Sequence, residues 1–148
     1  MLAWLKESTA GARAKIAAEA SKFKNRTFME AVVAGCALVA AADGEITSDE
    51  KQKMAGFIQR ADELKHFEMT EVIAQFNKVA GDFEFDAGIG KSSALQTIGK
   101  LKGDGEKEML VRVVCAIGAA DGNFDDDEKA IVREICQKLD LSPADFDL

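Results

Sequence analysis

Several residue types on which common active sites depend are scarce in this 148-residue sequence. It contains one histidine, one tryptophan, one proline and no tyrosine. With His66 as the only histidine, a three-histidine zinc site and an HExxH metalloprotease are both excluded. Basic residues are also in the minority, because 19 Lys and Arg face 26 Asp and Glu and give a net charge of −7. This balance disfavours general binding to nucleic acid, which depends on clustered cations.

Cysteine usage and hydropathy predict a soluble cytosolic protein. Cys36, Cys115 and Cys136 are odd in number and form no C-x-x-C pair, so neither a disulfide framework nor a thiolate zinc site is indicated, and buried thiols are expected. The N-terminus lacks the long apolar stretch of a signal peptide. Residues 31–42 form a charge-free apolar run, but a bilayer-spanning helix needs about 20 residues. No transmembrane segment is therefore expected.

Helical periodicity runs through most of the chain and predicts an all-α single domain of about seven to eight helices. The second and sixth helices are apolar all round, which is typical of buried central helices. Thr47 and Glu50 have the spacing of a capping box, and Pro143 suits the first position of a short last turn. The predicted helices cover residues 2–23, 27–42, 47 onwards, 68 onwards, 87–101, 106–120 and 125 onwards.

An internal repeat relates residues of about 30–64 to residues of about 108–141. With Asp43 set against Asp121, both copies share the pattern A-A-D-G-x-[IF]-x-x-D-E-K. Each copy reads as an apolar helix, a tight acidic loop and an amphipathic helix, so we predict two helical hairpins packed about a pseudo-twofold axis. We expect residues 27–148 to form this all-helical domain, preceded by a basic N-terminal helix or arm over 1–26, which carries six Lys and Arg against two acidic residues.

Most residues of the repeated loops have a structural explanation. Gly44 and Gly122 stand where a helix C-terminus favours a left-handed residue, and Ile46 and Phe124 can pack over the hairpins. Helix capping likewise accounts for Thr47 with Glu50, and for Asp125 with Glu128.

Asp43 and Asp121 are not explained in this way. Each is predicted at the C-terminal end of a helix, where the macrodipole disfavours a carboxylate by about 0.3–1 kcal/mol. The second loop adds Asp125, Asp126 and Asp127 beside Glu128. Lys51 and Lys129 can offset only part of this charge. A hard cation such as Ca²⁺, Mg²⁺ or Mn²⁺ suits oxygen ligands, and the sequence leaves this interpretation open beside that of a solvated acidic loop.

Two common motifs fail on spacing. An EF-hand loop starting at Asp121 would need glycine at Asp126 and glutamate at Val132. Gly90, Lys91 and Ser92 look like the end of a phosphate-binding loop, but Phe85 stands where its first glycine is required and no strand precedes it.

At the repeated acidic loops the chain resembles the TerB family of tellurite-resistance proteins. The resemblance rests on four segments, the last of which is the most specific: FKNRTFMEAVVAGCALVAAADGEITSDEKQKM, DELKHFEMTEVIAQFNK, FEFDAGIGK and AIGAADGNFDDDEKAIVREI. It implies a cytoplasmic all-α protein without catalytic activity, one of a set of stress-resistance proteins that includes a TerC-like membrane protein as partner. Such a partner would allow peripheral attachment to the inner membrane.

The resemblance also implies a divalent metal, with Ca²⁺ favoured and Mg²⁺ or Mn²⁺ as alternatives. Carried onto this chain, the expected ligands are Asp43 and Glu50 in the first repeat and Asp121 and Glu128 in the second. Asp125, Asp126 and Asp127 are further candidates. The leading hypothesis is a metal-binding adaptor of tellurite and stress resistance.

Two other functional classes compete with this hypothesis. An acidic protein–protein scaffold would meet a basic partner without metal, in keeping with the three basic and nine acidic residues over 121–148. An enzyme acting on tellurite through a cysteine would need a thiolate in an accessible electropositive setting, whereas two of the cysteines lie in predicted apolar helices.

Overall fold

The computed structural model describes residues 9–20, 22–120 and 124–148, which are all-helical and contain no strand. This confirms the predicted fold class. Short 3₁₀ helices cover Asp62–Leu64 and Pro143–Phe146. The α-helices are α1 (Thr9–Ala20), α2 (Arg26–Ala40), α3 (Ser48–Gln59), α4 (Met69–Phe85), α5 (Ala87–Ile98), α6 (Asp104–Gly118) and α7 (Asp126–Lys138).

Both predicted capping boxes are present and begin the second helix of each hairpin. Thr47 Oγ1 accepts from the Glu50 backbone N–H at 3.2 Å, and Glu50 Oε1 accepts from the Thr47 N–H at 3.1 Å. The matching distances for Asp125 and Glu128 are 2.8 and 3.1 Å. Each box satisfies two backbone donors, one at the start of the helix and one at the capping residue itself.

Three α-helices end two or three residues before their predicted ends at Ala42, Leu101 and Ala120. At each position the backbone N–H of that residue bonds the carbonyl three residues earlier, at 3.1–3.2 Å. This 3₁₀-type bond tightens the last turn and ends the α-helix. The apolar sequence pattern continues through that turn, so the pattern alone overestimates the length of the helix. The first helix ends at Ala20 rather than Phe23, and its predicted start lies outside the described residues. The Asp62–Leu64 turn was not predicted.

The core lies between α2 and α6, as the all-apolar character of these helices predicts. Between Phe28 and Val39 every residue of α2 except Glu30 is buried, and in α6 every residue from Met109 to Gly118 except Arg112 is buried. These two helices pack against each other, and α4, α5 and α7 also pack against α2.

The two hairpins have matching boundaries. The first helix of the first hairpin is α2, and the first helix of the second hairpin is α6. Both helices span 15 residues, and their start and end positions differ by 78, the number of positions that separates Asp43 from Asp121 in the sequence. The following helices, α3 and α7, begin at Ser48 and Asp126, which keep this offset. A pseudo-twofold axis relating the hairpins stays a prediction.

Helix α1 packs against α6 and the first 3₁₀ helix. Ile16, Ala17 and Ala20 are buried, and Ile16 and Ala20 belong to the main apolar core. The described part of the basic N-terminal segment therefore contributes apolar surface to the core, and the division into an arm over 1–26 and a domain over 27–148 stays a prediction. Among the residues described, no helix has both the length and the apolar character needed to cross a membrane.

Candidate functional site

Carboxylates from both acidic loops line one cavity of about 250 Å³. Asp43 and Glu50 come from the first hairpin, and Asp125, Asp127 and Glu128 come from the second. The sequence alone left open whether the two loops meet. The fold brings them together because α2 and α6 pack side by side, so that the connections following them approach each other.

A buried apolar side chain lies in the described part of each loop, and the first loop also contains a turn. Gly44 has a φ of +106°, a backbone region that residues with a Cβ rarely adopt, and it lets the chain reverse directly after Asp43. Ile46 of the first loop and Phe124 of the second are both buried, as predicted. Thr47 and Asp125 then start the next helices. Gly122 and Asp121 lie outside the described residues.

The surroundings of Asp43 differ from those that the sequence predicts. Helix α2 ends at Ala40, so Asp43 lies beyond its last turn. The effect of the macrodipole on a charge is confined to that turn and is therefore weak at Asp43. In addition, Asp43 Oδ1 accepts from the Glu45 backbone N–H at 3.3 Å. The helix dipole is therefore a weaker reason to expect a cation at Asp43 than the sequence indicates, and the stronger reason is the convergence of carboxylates around the cavity.

One face of α3 supplies a wall of the cavity. Glu50, Lys53, Met54 and Phe57 follow one another at helical spacing, and all four line the cavity. Lys53 is the cation that sequence reasoning missed, although counting by three and four residues from Glu50 would have found it. The expectation for Lys51 was wrong, because its Nζ donates to Glu84 Oε1 at 2.9 Å rather than facing the acidic loops.

The predicted ligand residues are only partly brought together. Five of the seven line the cavity, Asp126 is exposed and does not, and Asp121 lies outside the described residues. Within the described ranges, no three carboxylate, histidine or cysteine side chains are close enough to coordinate one ion. Glu50 and Glu128 each use Oε1 in a capping box. The oxygen donors suit a hard cation, and three of the described side chains would have to move closer together to coordinate one jointly.

The other candidate reactive groups lie elsewhere and are buried or half-buried. All three cysteines are buried, and this burial raises the pKa of each thiol, that of Cys136 to about 11. They therefore lack the accessible electropositive setting of a reactive thiolate. His66 is half-buried, and its pKa is lowered first by desolvation and then by the charges of Lys24 and Lys65. None of these four residues lines the acidic cavity.

Comparisons with known proteins agree with the resemblance carried by the acidic loops. A curated protein from Alcaligenes sp., named tellurium resistance protein TerB, is 39% identical over 106 residues, which cover 72% of this chain and 87% of that protein. No solved structure matches the chain. The family model described as tellurite resistance protein TerB matches residues 29–148, which include both acidic loops and all five cavity carboxylates. The chain belongs to the TerB family of tellurite-resistance proteins.

Proposed function

We propose that this protein is a metal-binding adaptor of tellurite and stress resistance, which binds one divalent cation in a site shared by its two acidic loops. The observation that carries the proposal is the convergence of Asp43 and Glu50 with Asp125, Asp127 and Glu128 around one cavity. Carboxylates so placed repel one another, and Lys53 is the one basic residue among the described residues that line the cavity.

The donor chemistry favours Ca²⁺ over Mg²⁺ or Mn²⁺. Calcium accepts six to eight oxygen ligands in flexible geometry, whereas magnesium requires a near-ideal octahedron. The five carboxylates belong to two separate hairpins and do not form a closed set of ligands. A site that closes by rearrangement of side chains suits the more tolerant ion.

In this proposal the protein has no catalytic role. Bound metal would reduce the negative charge of the cavity and hold the two hairpin loops together. Other resistance proteins, including a TerC-like membrane protein, would recognise that face. The burial of all three thiols supports an adaptor over an enzyme that acts on tellurite through cysteine.

A metal-independent acidic scaffold is the second candidate, and Lys53 favours it. Its side chain lies on the cavity wall and gives the carboxylates a counter-charge that needs no ion. A basic partner could then meet the remaining negative charge directly.

Thermal unfolding with added cation separates the two candidates. Binding to the folded state alone stabilises it by RT ln(1 + [L]/Kd), or about 2.7 kcal/mol at a hundredfold excess over Kd. For a chain of this length that corresponds to a rise in Tm of about 8 °C. We expect this rise with millimolar CaCl₂ and not with NaCl at equal ionic strength.

Asp127→Asn and Asp126→Asn form a matched pair of variants. Both residues lie in the first turn of α7, but only Asp127 lines the cavity. We expect Asp127→Asn to lose most of the calcium-dependent rise and Asp126→Asn to keep it. If calcium, magnesium and manganese all leave the wild-type Tm unchanged, the metal proposal is wrong and the scaffold takes its place.

A further inference from the structure

The acidic cavity contains a cation that belongs to the protein itself. Lys53 is exposed and lines the cavity together with the five carboxylates. It follows Glu50 by three residues on α3, and this spacing puts the two side chains on the same face of the helix. The fold therefore supplies an ammonium group beside the oxygens that a metal ion would use.

An aromatic ring on the cavity wall lies near this ammonium group. Lys53 Nζ lies 5.9 Å from the centroid of the Phe57 ring, and Phe57 also lines the cavity. This separation is at the outer limit of a cation–π interaction, which is weak at an exposed position. The guanidinium carbon of Arg60 lies 5.7 Å from the same centroid, so two cations share this ring. The ring contact is too weak to hold Lys53 in place against a strong competitor.

An ammonium group and a divalent cation compete for the same oxygens. A charged lysine has three N–H donors and no acceptor, so Lys53 cannot act as a ligand of the metal ion. The carboxylates that would have to move closer together around that ion line the same cavity as Lys53. Because the lysine stem is flexible and its charge is strongly hydrated, the exposed ammonium can move into solvent without a change in the backbone.

We propose that Lys53 is a resident counter-ion that a metal ion must displace, and that it thereby sets the affinity of the site for metal. This inference rests on the proposed metal-binding function and adds the regulation of that site. Without metal, the ammonium offsets part of the repulsion among the carboxylates and stabilises the protein. Metal binding gives up that contribution, so a higher concentration of metal is needed to fill the site than the carboxylates alone would require.

Coulomb's law gives the size of the effect. A divalent and a monovalent charge about 6 Å apart in water repel each other by an energy equivalent to about tenfold in affinity. The ammonium escapes part of this repulsion by moving into solvent, and salt screens part of the rest. We therefore expect removal of the Lys53 charge to lower the Kd for calcium about fivefold.

Isothermal titration calorimetry with CaCl₂ on variants of the full chain tests the proposal. Lys53→Met removes the charge but keeps an unbranched side chain with good helix propensity, and it should lower the Kd about fivefold. Lys53→Arg keeps the charge and should leave the Kd within about twofold of the wild-type value.

Lys51→Met is the matched control. It makes the same change in net charge on the same helix, but Lys51 does not line the cavity and is paired with Glu84 at 2.9 Å. At an ionic strength of about 0.1 M, where the Debye length is about 10 Å, this variant should keep the Kd within about twofold of wild type.

Thermal unfolding gives a second readout that loss of packing alone would not produce. In EDTA, Lys53→Met should melt below wild type, because the carboxylates have lost a counter-charge. At saturating calcium the difference should largely disappear, because the displaced ammonium no longer contributes to the stability of the wild-type protein. A variant that had only lost packing would melt lower by a similar amount in both conditions.

The outcomes separate this inference from the proposed function. Equal calcium affinity of wild type and Lys53→Met, or weaker binding by Lys53→Met, overturns the inference and leaves the metal function in place. A Lys51→Met protein that gains as much affinity as Lys53→Met also overturns it, and so does a Lys53→Met protein that melts no lower than wild type in EDTA. Binding by Lys53→Met but not by wild type supports the inference and overturns the metal function of the natural sequence. Absence of binding by both proteins overturns both.

Discussion

Gly90 of α5 lies in close contact with Phe83 of α4, and replacing it with alanine should destabilise the fold. A Cβ at this position would lie 2.7 Å from the backbone N and Cα of Phe83 and 2.6 Å from Phe83 Cγ. Backbone atoms of a packed helix cannot move aside as a flexible side chain can, so the two helices would have to separate. The same glycine begins the Gly90-Lys91-Ser92 sequence, and its close packing explains it without a phosphate ligand.

The magnitude follows from two opposing effects. Overpacking a well-packed interior costs about 1–3 kcal/mol, and contact with backbone places Gly90→Ala at the upper end of that range. The better helix propensity of alanine returns up to about 1 kcal/mol. We therefore expect a net loss of about 2 kcal/mol, or a fall in Tm of about 6 °C for a chain of this length.

Gly81→Ala is the matched control. Gly81 is an exposed position within α4, and a Cβ there would meet nothing within 4 Å. Helix propensity alone then acts, and the variant should gain about 0.5–1 kcal/mol. Thermal unfolding followed by circular dichroism measures both variants. A Gly90→Ala protein as stable as wild type would refute the close contact of α4 and α5, and a destabilised Gly81→Ala protein would refute the reasoning from helix propensity.

Three further predictions concern helix capping, the histidine and the thiols. Thr47→Ala removes a capping-box acceptor and should cost about 1 kcal/mol by denaturant unfolding, while Thr47→Ser should restore most of it. The His66 ring should titrate with a pKa below 6.5 in an NMR pH series. Because the unfolded chain then takes up the proton at a higher pH than the folded protein does, the folded protein should lose stability as the pH falls from 6.5 towards the folded pKa. A titration midpoint above 6.5 would contradict the desolvation of this ring. Ellman's reagent should react with the native protein at pH 8 only as fast as the protein opens. The reason is that all three thiols are buried and that even Cys136, whose pKa is the least raised of the three, has a pKa of about 11. Rapid reaction of one equivalent would show an accessible thiolate.

The fold was predictable from the sequence where local signals and hydrophobic pattern agree. The all-apolar stretches that became α2 and α6 indicated the two central helices, and the Thr47 and Asp125 capping boxes marked the starts of α3 and α7. Helix C-termini were less predictable, because an apolar residue such as Ala42 continues the pattern after the hydrogen bonding has changed to the 3₁₀ type.

The candidate site was predictable in composition but not in arrangement. Repetition of the acidic block singled out Asp43, Glu50 and Glu128, yet no local pattern could show that the two loops face one cavity, because this depends on the packing of α2 against α6. The same limit explains the error over Lys51. Its partner Glu84 is 33 residues away in the chain, and only the tertiary fold brings the two together.

The direct test of the central claim is the stoichiometry of calcium binding, measured by isothermal titration calorimetry on wild type, Asp43→Asn, Asp127→Asn and the double variant. A site shared by the two loops predicts one ion per chain, with weakened binding in each single variant and strongly non-additive losses in the double variant. Two independent ions, each lost with one variant only, would contradict a shared site, and absence of binding by the wild-type protein would contradict the metal-binding function itself.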